Sequence, residues 1–101
     1  MQAREAGSGA GAMRLLVLHP DDDVAVALAD LAPGEEVAVP GGGAVVTHEV
    51  VPFGHKLALR PIAQGAVVRK YGQPIGRALA DIPAGGWVHL HNLASIKEAG
   101  G

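Results

Sequence analysis

Cysteine is missing from all 101 residues, which excludes thiolate nucleophiles, disulfide staples and thiolate metal ligands together. Aromatic rings are scarce, with only Phe53, Tyr71 and Trp87. The core must therefore come from valine, leucine, isoleucine and many alanines, which carry less apolar area per residue. A core that thin suits a structure completed by a partner. Basic residues are not in excess: the formal net charge is -2 with five histidines counted neutral. Phosphate-directed binding of nucleic acid is therefore not expected. No apolar run approaches the ~20 residues that cross a bilayer, and the N-terminus lacks the basic, apolar and cleavage segments of a secretory signal. The reading is a soluble, cytoplasmic chain without a membrane partner, long enough for one compact domain.

Residues 1–12 are rich in glycine and alanine without periodicity and read as a flexible extension. The domain is expected over 13–93 and a short tail over 94–101. Met13 to Leu18 is an apolar run of strand length. Asp21, Asp22 and Asp23 then precede VAVALADL, where an aspartate cap and the shared face of Val24, Leu28 and Leu31 predict a short helix. A strand over 24–28 competes with it, because Val24, Val26 and Leu28 also alternate. Beyond Pro33-Gly34, turn signals recur every ten residues or so. They predict strands near 36–39, 44–51, 67–71, 75–78 and 87–91, with one helical turn allowed over 55–60. This pattern describes a small all-β domain of the barrel or folded-hairpin kind, with one or two short helices. No internal repeat is read. The expected core is Val24, Leu28, Leu31, Val45, Ile62, Val68, Ile75, Ile82, Val88 and Leu90.

His89 and His91 lie two apart in a strand-like run, so their rings should leave one face while Val88 and Leu90 pack on the other. Such a pair can bind a divalent cation or anionic oxygens, or simply cover a wet face. Gly54-His55-Lys56 falls in a turn, where His55 offers an acid/base group or a ligand and Lys56 a point charge. It can equally be a solvated corner. Arg69 and Tyr71 should share one side of a strand and Lys70 the other. Trp87 and Phe53 read as packing anchors, and the three aspartates as caps rather than a calcium loop.

HPDDDVAVALADLAPG (His19–Gly34), PFGHKLAL (Pro52–Leu59) and VVRKYGQPIGRALADIPAGGWVHLHN (Val67–Asn92) together resemble the SAF-type domain of altronate and galactarate dehydratases. In that family the module occurs at the N-terminus or as a small subunit, and it recurs in the small subunit of sulfolactate sulfo-lyase. The resemblance covers nearly everything after Met13. It implies a β-clip fold, in which long bent hairpins fold over one another. It also implies dehydration of a sugar acid with a ferrous or other divalent ion such as Mn2+, shared with a large catalytic subunit. His55 and His89 would then carry protons, Lys56, Lys70 and Asn92 would hold substrate, and His89 and His91 would face the metal. The chain alone is expected to be inactive, and either to bind the large subunit or to self-associate. Sulfite loss from a sulfonated acid, and non-catalytic binding of a carbohydrate or partner by a β-clip module, are the rival functions.

Overall fold

The computed structural model describes residues 13–95. The expected extension over 1–12 and most of the expected tail lie outside them. Nine short strands form among the described residues: β1 (Leu15–Leu16), β2 (Val24–Ala27), β3 (Glu36–Ala38), β4 (Ala44–Val46), β5 (Lys56–Ala58), β6 (Val67–Lys70), β7 (Gln73–Ala78), β8 (Trp87–Val88) and β9 (Leu93–Ser95). They make a four-stranded sheet in the order β1-β2-β5-β8, a three-stranded sheet β9-β7-β6, and the pair β3-β4. Every ladder is antiparallel. Ala94 and Ser95, expected in the tail, pair with Arg77 and Gly76.

The registers reduce most of this to two long bent hairpins. In the first, Val24 faces Ala58, Leu31 faces Val51, Glu36 faces Val46 and Ala38 faces Ala44, without a slip down to the turn at 39–43. In the second, Lys56 faces Val88, Ile62 faces Ile82 and Val67 faces Arg77; the register then shifts between Val68 and Arg69. Strand β5 is the last arm of the first hairpin and the first arm of the second. Each hairpin bends at two corners, and all four corners share a pattern: Leu31-x-x-Gly34-x-x-Val37, Val51-x-x-Gly54-x-x-Leu57, Ile62-x-x-Gly65-x-x-Val68 and Ile82-x-x-Gly85-x-x-Val88. All the apolar positions in it are buried. The glycines have φ between +77° and +84°, and their N–H groups donate 2.8 Å bonds to Thr47, Ala27, Ala78 and Ala58 carbonyls. A repeat is therefore present where none was read. Only three positions in seven recur, because the corner demands only a buried anchor, a left-handed residue and a second anchor.

The expectation of one or two short helices is overturned, since no helix forms among the described residues and none could cross a membrane there. Alanine-rich 24–31 has good helix propensity, but its burial favours the strand. Ala25 packs into one core with Leu15, Val37 and Leu57, whereas Val24 packs into another with Ala58, Val68 and Val88. Residues on both faces are thus buried, which the period of a strand allows. The aspartates that should cap the helix serve the second hairpin instead. Buried Asp22 accepts the N–H groups of Tyr71 and Gly72 at 3.0 and 2.7 Å, and Asp23 accepts that of Arg69 at 2.9 Å. The allowed helical turn at 55–60 is strand β5. Leu28, expected in the core, follows the end of β2 and is 37% exposed.

Candidate functional site

The site gathers where the shared arm β5 meets β8. Leu57 faces Trp87 and Lys56 faces Val88, so His55 just before β5 and His89 just after β8 arrive at one end of the sheet. His55 is fixed by its backbone: its N–H donates to Pro52 and its carbonyl accepts from Ala27. Trp87 is fixed more tightly. Its N–H donates to the Glu49 carboxylate at 3.0 Å, its carbonyl accepts from the Asn92 amide at 2.8 Å, and its ring packs against the first core.

Three imidazoles surround that indole. The ring of His89 stacks on Trp87, 5.2 Å between centroids and 10° from parallel; His91 lies tilted at 5.3 Å. The ring of His55 lies 5.5 Å from Trp87 and 4.8 Å from His89, and its Nδ1 accepts the indole N–H at 3.1 Å. His89 and His91 thus belong to one cluster, though not through strand alternation. The strand ends at Val88, and His89–Asn92 is a turn closed by the Asn92 N–H on the His89 carbonyl. That turn throws Leu90 outward to 80% exposure, where packing opposite the histidines was expected, while Val88 is fully buried.

Asn92, expected to hold substrate, is buried, and its amide is spent on the turn: Oδ1 accepts the His89 N–H at 2.9 Å and Nδ2 donates to Trp87. Lys56 and Lys70 have no ion-pair partner among the described residues. Burial, helped by the charge of Lys70, holds the Lys56 ammonium below the ordinary lysine range. Lys70 lies 5.1 Å from the Tyr71 ring centre, a cation–π distance. Tyr71 itself has φ +59°, held by Asp22 beneath the turn. His89 is pushed below the usual imidazole range, first by burial and then by the charges of His55, Lys56 and His91. A neutral His89 beside the Lys56 ammonium can accept a proton, and the two lysines can attract an anion.

A metal fits this chain less well. Among the described residues no three histidine, aspartate or glutamate side chains converge to hold an ion, so His89 and His91 do not form a metal centre by themselves. Trp87 packs against the first core, as its sequence context suggests, and is also the centre of this cluster. The signal is the crowding of Trp87, His89 and His91 into the five residues that follow Gly85-Gly86.

An all-β domain of two bent hairpins sharing one arm, with an imidazole–indole cluster and Lys56 at their common base, is a β-clip-like domain. The altronate/galactarate dehydratase SAF domain family matches residues 13–96, and the chain belongs to that family. Altronate dehydratase of Escherichia coli (strain K12) is 56% identical over 80 residues, 79% of this chain and 16% of that protein. Galactarate dehydratase (L-threo-forming) of the same organism is 34% identical over 82 residues, 81% of this chain and 15% of that protein. The (2R)-sulfolactate sulfo-lyase subunit alpha of Chromohalobacter salexigens is 44% identical over 45 residues, 45% of this chain and 48% of that subunit. The chain thus spans about one sixth of the length of the dehydratases it matches.

Proposed function

We propose that this domain is the accessory, small-subunit part of a sugar-acid dehydratase, and that its His55–Lys56–Lys70–His89 face helps to receive an acidic polyhydroxy substrate. The observation that carries the reading is the cluster at the base of the two hairpins. It combines a neutral-leaning His89 with Lys56, and Lys70 at the tip of the second hairpin is near enough for its charge to act on Lys56; no described carboxylate neutralises either lysine. The family membership and the altronate dehydratase likeness support the reaction class. In this reading Lys56 and Lys70 attract the substrate carboxylate. His89 takes the proton from the carbon next to that carboxylate, and the freed electron pair forms a carbon–carbon double bond as the bond to the β-hydroxyl breaks. A general acid of the catalytic part supplies the proton with which the hydroxyl leaves as water. A ferrous or manganous ion would need ligands from the larger catalytic part in addition to any that His89 and His91 supply.

A second reading is loss of sulfite from a sulfonated hydroxy acid. It is favoured by the sulfo-lyase alpha subunits, of which the matched 45 residues make up about half. Either way, the domain alone should turn over no substrate. Joined with a large catalytic partner, His89→Ala should lower turnover by about 10²–10⁴-fold, the span of a lost general base. Retained turnover within twofold in a verified complex would refute the role of His89. Supplying altronate, galactarate and sulfolactate separately distinguishes the two reactions.

A further inference from the structure

We propose that Trp87 fixes His55 as a hydrogen-bond donor to an oxygen of an anionic ligand, and so removes it from service as a base or metal ligand. An indole N–H can only donate. The Trp87 Nε1 lies 3.1 Å from His55 Nδ1, so Nδ1 must offer its lone pair. In the neutral ring the proton then resides on Nε2, which faces any ligand as a donor. For Nε2 to accept a proton or bind a metal, the ring proton would have to move to Nδ1 and point at the indole N–H, donor against donor. A histidine that ligates a metal normally does the reverse, donating its second N–H to a carboxylate or carbonyl.

The surrounding chain holds both backbones in place for this pairing. Trp87 is tied by Glu49, by Asn92 and by its ladder with Leu57. His55 is pinned through Pro52 and Ala27. The indole also stacks on His89, whose ring makes no hydrogen bond to the protein among the described residues. One tryptophan thus gives the two histidines different roles, with His55 donating and His89 left available to accept. Lys56, next in the chain, adds positive charge, so the ligand oxygen is anionic, as in a carboxylate. Trp87 is here a positioning residue. The identity of the ligand rests on the proposed function, but the tautomer does not.

Long-range 1H–15N spectra of the full 101-residue chain with 15N-labelled histidine, recorded near neutral pH without substrate, read the tautomer directly. His55 should carry its proton on Nε2 alone, and added Zn2+ should leave that signature in place. Trp87→Phe keeps an aromatic ring but removes the N–H, and should convert His55 to a mixture of tautomers. A wild-type His55 protonated on Nδ1, zinc bound through its Nε2, or an unchanged tautomer in a folded Trp87→Phe chain would each overturn the proposal. Should that variant lose its fold, the wild-type spectrum and the zinc titration decide the matter. Because no substrate is present, failure here is separate from failure of the dehydratase reading, which only turnover by the assembled enzyme tests.

Discussion

The two hairpins share a plan and differ in what they carry. Leu31 and Val51 of the first recur as Ile62 and Ile82 of the second, each pair 31 positions later, and both pairs exchange backbone hydrogen bonds. Each hairpin also ties one corner with an aspartate, but from opposite arms: Asp30 on the first arm accepts the N–H of Phe53, and Asp81 on the second arm accepts that of Gln64. The tips differ. The first ends in an open turn of three glycines, Gly41 to Gly43, all with positive φ. The second slips register, tightens at Tyr71-Gly72 and is clamped from below by Asp22. The residues of the proposed site follow the second hairpin, whose base holds Lys56, Trp87 and His89, and whose tip holds Lys70. Repeated positions build the frame, while reactive side chains occupy positions the repeat leaves unspecified.

The likeness between corners should fail first at their glycines. Gly54 and Gly85 have the same φ, +84°, but a Cβ at Gly54 would meet nothing within 4 Å, whereas at Gly85 it would collide with the Val46 carbonyl oxygen. Gly85→Ala should therefore cost about 4 kcal/mol or more, enough to threaten the fold of so small a domain. Gly54→Ala should cost only the backbone strain, about 1–3 kcal/mol. Urea unfolding of both variants checks this, and equal losses would mean that the corners are not distinguished by packing.

The tips offer the next test. Asp22→Ala strands two amide donors beneath the second turn and should cost about 2–4 kcal/mol, with hydrogen exchange speeding first at Tyr71 and Gly72. Among the described residues no single side chain holds the glycine turn of the first hairpin in this way, so Gly42→Ser should cost backbone strain alone, about 1–3 kcal/mol, because Gly42 has φ +136° with open space around it.

At the base, Val88→Ala removes fully buried methyl groups and should cost about 2–3 kcal/mol. Leu90→Ala, on a side chain 80% exposed, should change stability by no more than about 0.5 kcal/mol. A large loss at Leu90 would restore the strand alternation that the turn at 89–92 replaces.

The smallest effect is electrostatic. His89 should titrate below an ordinary imidazole in an NMR pH series, and Lys56→Met, which removes one of the opposing charges, should move it upward. A depressed folded pKa means that the group supports the fold while neutral. Its contribution is present above the ordinary imidazole pKa and is lost as pH falls through the lowered folded value. Melting curves recorded downward from neutral pH should show that sign, and a gain in stability on acidification would contradict it.

Much of the frame was legible in the chain itself. Turn residues placed strands near 36–39, 67–71 and 75–78, close to β3, β6 and β7, since a left-handed or proline-bearing corner admits few residue types. The strand expected over 44–51 stops at Val46, and β7 begins at Gln73, inside the stretch that reads as a turn. Composition excluded thiol chemistry, and the HxH and GHK motifs pointed to residues that do meet. The repeat was also there to be read, as an apolar residue three before and three after each of four glycines. The choice between helix and strand over 24–31 was not, because alternation and helical period both fit VAVALADL, and only the two cores on opposite faces settle it. Nor was the use of Asp22: its carboxylate serves as well at a helix cap as under a turn about fifty residues away, and chain folding alone decides which amides it meets. Residue types and spacing therefore determined which corners could form and which side chains were capable of chemistry. Tertiary structure decided that β5 serves both hairpins, and with it that His55 meets Trp87 and His89, because contacts between residues more than thirty apart depend on how the corners stack rather than on any local preference.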